Sequence, residues 1–167
     1  MRILAIDPAV RNTGYALLEG DQHKQNVIDY GVISIPAKIP QSGALAAVKT
    51  GLTNLITQYE PDEVAVEAII YVQSMKTAIS MGAARAASMI AAAENGLPIY
   101  EYAPKKVKKA VVGNGNADKA QVAFMIRALL GLSETPQHDA ADALAIAMAH
   151  LTASDPFKAS LLDRKKI

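Results

Sequence analysis

The stretch from Arg2 to Tyr15, RILAIDPAVRNTGY, opens on an unbroken apolar run, Ile3, Leu4, Ala5 and Ile6, that ends in Asp7 and Pro8. A continuous apolar run closed by a turn is the pattern of a strand buried on both faces. Its last residue is an acid, and a carboxylate at the end of a buried strand is costly to keep charged without a partner. A second apolar run, Tyr15 to Leu18, follows at once, and Asn26 to Ile35 (NVIDYGVISI) makes a third strand ended by Pro36. The short connections predict an antiparallel meander.

Beyond it, Leu45, Val48, Leu52, Leu55, Ile56 and Tyr59 recur at helical spacing behind Ser42, a good N-cap, and Pro61 stops the helix. Glu63 to Ile70 reads as a buried strand, Ser74 to Asn95 as a long helix ended at Gly96, and Pro98 to Tyr102 as another strand. Helices are predicted over Pro104 to Val112, Ala117 to Leu130 and Pro136 to about Ala153, with a glycine-asparagine loop from Gly113 to Asn116. This order predicts an α/β fold: a mixed five-stranded sheet, the three-stranded antiparallel meander plus parallel strands, flanked by helices on both faces. Residues 1–153 are expected to form one domain, and 154–167, with Arg164, Lys165 and Lys166, a flexible basic tail. A right-handed crossover can return the fourth strand parallel to the first. If the two are adjacent, ~4.8 Å apart, Asp7 and Glu67 become neighbours.

A chain of 167 residues, 51% hydrophobic and 20% charged, can bury a full core and is not a disordered sequence. The absence of cysteine excludes a disulfide framework and thiolate chemistry and fits a reducing compartment. No apolar run reaches the ~20 residues of a membrane span, and no basic-then-apolar leader opens the chain, so a cytoplasmic protein with no membrane partner is expected. The net charge of +1 is unevenly divided: Lys105, Lys106, Lys108, Lys109, Lys119 and Arg127 face only Asp118 between Pro104 and Arg127, making that segment +5 and the remainder −4. Such asymmetry suggests a surface built for an anion.

Three further acids join Asp7. Glu67 lies in VAVEAII, whose apolar neighbours argue against an exposed edge-strand glutamate. Asp139 and Asp142, in HDAADALAIA, are three residues apart and therefore point to one side of a helix. Asp139 alone is also explained as an acid complementing the helix dipole; Asp142 is deeper in an apolar run. Converging carboxylates repel by about 4 kcal/mol per pair at ~4 Å and an effective dielectric of ~20. Hard divalent cations relieve that repulsion, and oxygen-only ligands select magnesium or manganese. Two such ions ~4 Å apart activate a water and stabilise the leaving oxygen in phosphodiester hydrolysis.

Asp7-Pro8-x-x-Arg11-x-Thr13-Gly14-Tyr15, Val66-Glu67, Val107-Lys108 with Val111-Val112-Gly113, and Asp139-Ala-Ala-Asp142-Ala-Leu-Ala-Ile-Ala occur in this order. Together they resemble the RuvC Holliday-junction resolvases, of the ribonuclease H-like fold, over roughly residues 1–153. The resemblance implies that Asp7, Glu67, Asp139 and Asp142 are catalytic acids binding Mg2+, two ions with substrate, with Mn2+ able to substitute. It implies a homodimer that makes paired symmetrical nicks in four-way junction DNA during recombination and repair, and partnership with the RuvA and RuvB branch-migration proteins.

Lys108 and Lys119 align with lysines that the resolvases place near the scissile phosphate, and with Lys105, Lys106 and Lys109 they are expected to bind phosphate rather than form a merely solvated helix face. Two departures from the family pattern stand out. Ala9 replaces a glycine, which costs about 1 kcal/mol if that position needs a positive φ. Ile69 and Ile70 replace aromatic residues that stack on an opened junction base, leaving Ile70 and Tyr71 as candidate DNA contacts. His138 is expected to be a partly exposed helix residue rather than a ligand. The long helix carries Ala78, Gly82 and Ala86 at four-residue steps beside Met75, Ile79, Met89 and Ile90, which suits internal packing or a dimer contact. Rival functions are a catalytically silent junction-binding protein and an ATP-binding domain of the actin and sugar-kinase type; the latter predicts a second similar domain and a glycine-rich phosphate loop, and this sequence shows neither.

Overall fold

In the computed structural model, which describes residues 1–70, 74–162 and 164–167, one six-stranded sheet runs through the molecule in the order β3-β2-β1-β4-β5-β6. The meander is β1 (Arg2–Asp7), β2 (Asn12–Gly20) and β3 (Gln25–Ser34), paired antiparallel throughout. Helix α1 (Gln41–Tyr59) crosses to β4 (Glu63–Glu67), which lies parallel to β1 with Ile6 opposite Val66. Helix α2 (Met75–Glu94) leads to β5 (Ile99–Tyr102), parallel to β4. Then come α3 (Pro104–Val112), α4 (Lys119–Leu130), α5 (His138–Thr152), α6 (Pro156–Leu162) and β6 (Lys165–Lys166).

Alternation along the central strands divides the core in two, because successive side chains leave a strand on opposite faces. Ile3 and Ala5 of β1, with Ala65 of β4, pack against Val107, Val122, Leu144 and Ala147 from α3, α4 and α5. Leu4 and Ile6, with Val64 and Val66, pack against Val48, Leu52, Ala91 and Ala92 from α1 and α2. Ile3 to Ile6 and Val64 to Val66 are all fully buried. Helices therefore cover both faces, as the continuous apolar runs require.

Three local readings are settled by the structure. Helix α1 is capped by Pro40 rather than Ser42: Pro40 is extended (φ −55°, ψ 154°) and its carbonyl accepts the first helical bond, from Ala44 N–H at 2.9 Å. Strand β4 ends at Glu67, not Ile70, because its parallel partner β1 ends at Asp7 and only Ala68 N–H still finds β5, at the Tyr102 carbonyl. Ala9 carries no positive φ, so replacing glycine there stores no left-handed strain.

The sheet has six strands rather than five. Where a flexible tail is expected, α6 and β6 fold back, and β6 pairs antiparallel with β5, Glu101 opposite Lys165. This strand has no apolar alternation to announce it; ion pairs fasten it, Lys165 to Glu101 at 2.7 Å and Arg164 to Glu63 at 2.7 Å. Glu63 also accepts from buried His150 at 2.6 Å, whose other ring nitrogen meets the Tyr102 hydroxyl at 2.9 Å.

Candidate active site

Asp7 and Glu67 are the last residues of two adjacent parallel strands, one step beyond the Ile6–Val66 pair, so their side chains leave the sheet side by side. Asp139 and Asp142 stand on the first two turns of α5, which is laid across β1 and β2. What lets that helix come so close is Gly14, opposite Asp7 in β2. A Cβ on Gly14 would stand 2.0 Å from the Asp139 carbonyl oxygen, so no larger residue fits without pushing the helix away. Thr13, wholly buried, shapes the turn behind Asp7: its hydroxyl donates to the Ala9 carbonyl at 2.5 Å and accepts from the Ala9 N–H at 3.3 Å.

Three of the acids are shifted by burial and by their acidic neighbours. Burial pushes the Asp7 carboxyl up to about 7, with Asp142 and Asp139 adding to the rise and Lys119 opposing it. Burial likewise raises Glu67 to about 8, helped by Asp7 and Asp142 and resisted by Lys108 and Lys119. Asp142 is raised by burial against the pull of both lysines. Carboxylates pushed up by burial and by neighbouring acids mark a candidate functional site. The cation nearest to hand is Lys119, whose Nζ is 3.6 Å from Asp142 Oδ2.

Of the five lysines singled out from the sequence, the structure brings two to the acids, Lys108 and Lys119. Lys108 is already engaged, its Nζ donating to the Ala117 carbonyl at 2.9 Å and so tying α3 to the end of the 113–117 loop. Lys106 and Lys109 face elsewhere, lining a cleft with Thr152, Lys158 and Leu162, and Lys105 is exposed on the same helix. His138 is exposed at the start of α5, the expected helix residue. Ile70 is 68% exposed three residues beyond Glu67. Tyr71 lies outside the described residues.

Sequence reading passed over Arg85. Its Nη2 donates to Glu101 at 2.6 Å, its Nη1 contacts the Met89 sulfur, and its Nε reaches the Glu67 carbonyl at 3.4 Å, so it braces the strand end that carries Glu67. The available signal was a lone arginine inside the apolar stretch from Ala83 to Ala93.

All four acid donors are carboxylate oxygens, which suits a hard divalent cation. Among the described residues, no three acidic or histidine side chains are arranged to hold an ion as they stand. The donor chemistry therefore fits a metal, while a complete shell calls for oxygens from outside the protein.

Sheet order, acid-tipped parallel strands and a carboxylate-bearing helix across them define a nuclease of the ribonuclease H-like fold. The same architecture is found in the RuvC of Thermus thermophilus solved in complex with a Holliday junction substrate, with a TM-score of 0.87 and 30% identity over 100% of this chain and 99% of that one. The yeast mitochondrial Holliday junction resolvase Ydc2, 16% identical, shares the fold with a TM-score of 0.64 over 96% of this chain and 81% of that one. The family model for crossover junction endodeoxyribonuclease RuvC matches residues 3–150. Curated relatives of the same description include those of Akkermansia muciniphila, 63% identical over the full length of both chains, and Halothermothrix orenii, 45% identical over 90% of this chain and 92% of that one. The chain belongs to the RuvC family of crossover junction endodeoxyribonucleases, and membership implies a divalent-metal-dependent nuclease.

Proposed function

We propose that Asp7, Glu67, Asp139 and Asp142 are the catalytic acids of a magnesium-dependent enzyme that resolves Holliday junctions by paired symmetrical nicks. The observation that carries the assignment is the electrostatic coupling of acids 60 to 135 positions apart in the chain, Asp7 raised to about 7 by burial with Asp142 and Asp139, and Glu67 to about 8 by burial with Asp7 and Asp142. Divalent ions held there, magnesium or manganese and two with substrate bound, would supply an activated water and stabilise the leaving oxygen. Asp7 and Glu67 offer oxygens from the rigid sheet, and Asp139 and Asp142 from the helix that Gly14 admits. Lys119, exposed beside Asp142, and Lys108, held by the loop carbonyl, set positive charge beside the acids where a phosphodiester would enter. Lys106 and Lys109 lie on the part of α3 turned away from the acids and with Lys105 would meet the DNA backbone away from the cut, and Ile70 with Tyr71 would meet an opened junction base.

Two equivalent cuts need two equivalent sites, which a two-fold homodimer supplies. Exposed Met75, Ile79 and Ile90 on α2 support that arrangement. The nuclease domain would work in the cytoplasm with RuvA and RuvB; among the described residues no helix is long and apolar enough to cross a membrane.

A synthetic four-way junction incubated with the protein in magnesium is expected to yield symmetrical nicks. Asp7→Asn and Glu67→Gln are expected to bind the junction and leave it uncut. Wild-type rates in either variant would overturn the assignment of that acid.

A further inference from the structure

A cleft of about 480 Å³ opens directly beside Asp139, between the turn after β1 and the first turns of α2. Its volume is in the range of built ligand sites. Arg11 and Asn12 line it from the turn after β1 and the start of β2, Lys76, Thr77 and Ser80 from α2, and Asp139 from α5. The two cations are differently prepared. Arg11 is fixed by a hydrogen bond from Nη1 to the Pro36 carbonyl at 2.9 Å, which leaves the rest of its five-donor fork free to point into the cleft. Lys76 is exposed, and among the described residues no carboxylate forms an ion pair with it. It also stands in the first turn of α2, where no acid is present and a positive charge opposes the helix dipole. An anion in the cleft would answer that charge and relieve its opposition to the helix dipole.

Resting on the reading of Asp139 and its partners as the cutting site, we propose that this cleft seats a nucleotide flanking the scissile phosphate. Arg11 and Lys76 clasp its phosphodiester from the turn after β1 and from α2, while the neutral side chains of Asn12, Thr77 and Ser80 meet its sugar and base. Neither cation takes part in the chemistry; both fix where the strand lies when the acids act. The arrangement gives the enzyme a grip on the cut strand that is separate from Lys108 and Lys119 and reaches from the opposite side of the acids.

The test pairs one charge on the protein with one on the DNA. Four-way junctions carry a single neutral methylphosphonate at each of the linkages flanking the cut, one position at a time, and are cleaved by wild type, Lys76→Ala and Lys76→Arg. In the wild type one flanking position is expected to raise KM about tenfold, the order of one charge-assisted hydrogen bond, with kcat little changed. Lys76→Ala is expected to raise KM similarly on the all-phosphate junction and to be indifferent to that one methylphosphonate, and Lys76→Arg to restore both. A wild type and a Lys76→Ala variant that respond alike to every flanking methylphosphonate would overturn the subsite while leaving the cutting site intact. A wild type that cuts no junction at all would overturn both.

Discussion

At the scale of single residues, the acids at the strand ends give up stability for chemistry. Glu67 is raised from an ordinary 4.5 to about 8, and Asp7 from 3.8 to about 7. A group raised on folding contributes stability that is complete below its unfolded value and is lost as pH climbs through its folded value. The metal-free protein should therefore lose stability from these two groups between about pH 4 and pH 8. Glu67→Gln, which cannot ionise, is expected to be more stable than wild type by about 1–3 kcal/mol at pH 9 and no more stable at pH 4. Urea midpoints without metal across that range provide the check; a constant offset between the two curves refutes the account.

The two lysines near the acids do different work and should fail differently. Lys119→Ala removes an exposed charge and is expected to slow cleavage with an unchanged fold. Lys108→Ala also deletes the hydrogen bond to the Ala117 carbonyl, so slower cleavage should come with about 1 kcal/mol of lost stability. Single-turnover rates measured beside urea denaturation separate the two, and wild-type turnover in both variants would remove lysines from the site.

At the scale of elements, the site is made where α5 meets β2. The contact is backbone against backbone, the Asp139 carbonyl over Gly14. Gly14→Ala is expected to cost about 1–3 kcal/mol by overpacking, and to weaken cleavage far more than its stability loss explains, since it displaces Asp139 and Asp142 from Asp7. The comparison is activity per folded molecule, with junction binding as the control; an unaltered rate means that the helix can slide without consequence. Ala9 teaches the complementary lesson. Family pattern alone makes it a cost, yet the turn is held by Thr13 and demands no positive φ.

At the scale of the whole molecule, the C-terminal segment is fastened across the sheet through Glu63. Arg164 stacks 4.2 Å from the Tyr100 ring centroid and binds Glu63, which binds His150, which meets Tyr102. Burial pushes the His150 imidazole down to about 4 against the pull of Glu63. A depressed folded value means stability present above 6.5 and lost as pH falls toward about 4, on the order of 3 kcal/mol in all. The stability difference between wild type and His150→Gln should thus be flat above pH 7 and shrink between pH 6.5 and pH 4. Arg164→Ala should lower Tm by about 3–6 °C and loosen β6 and the β5 edge, seen as faster amide exchange, without touching cleavage.

The chain's linear order determined the two buried strands, the acids that end them and the spacing of Asp139 and Asp142, because burial on both faces and the helical repeat are written in neighbouring residues. Only folding decided which distant charges meet. Glu63 with His150 and Arg164, Arg85 with Glu101, and Lys119 with Asp142 are pairs separated by 16 to 101 positions, and a local pattern carries no term for a contact of that span. The sixth strand belongs to the same class: two lysines and an arginine look like solvent until the acids that receive them are brought alongside by the sheet.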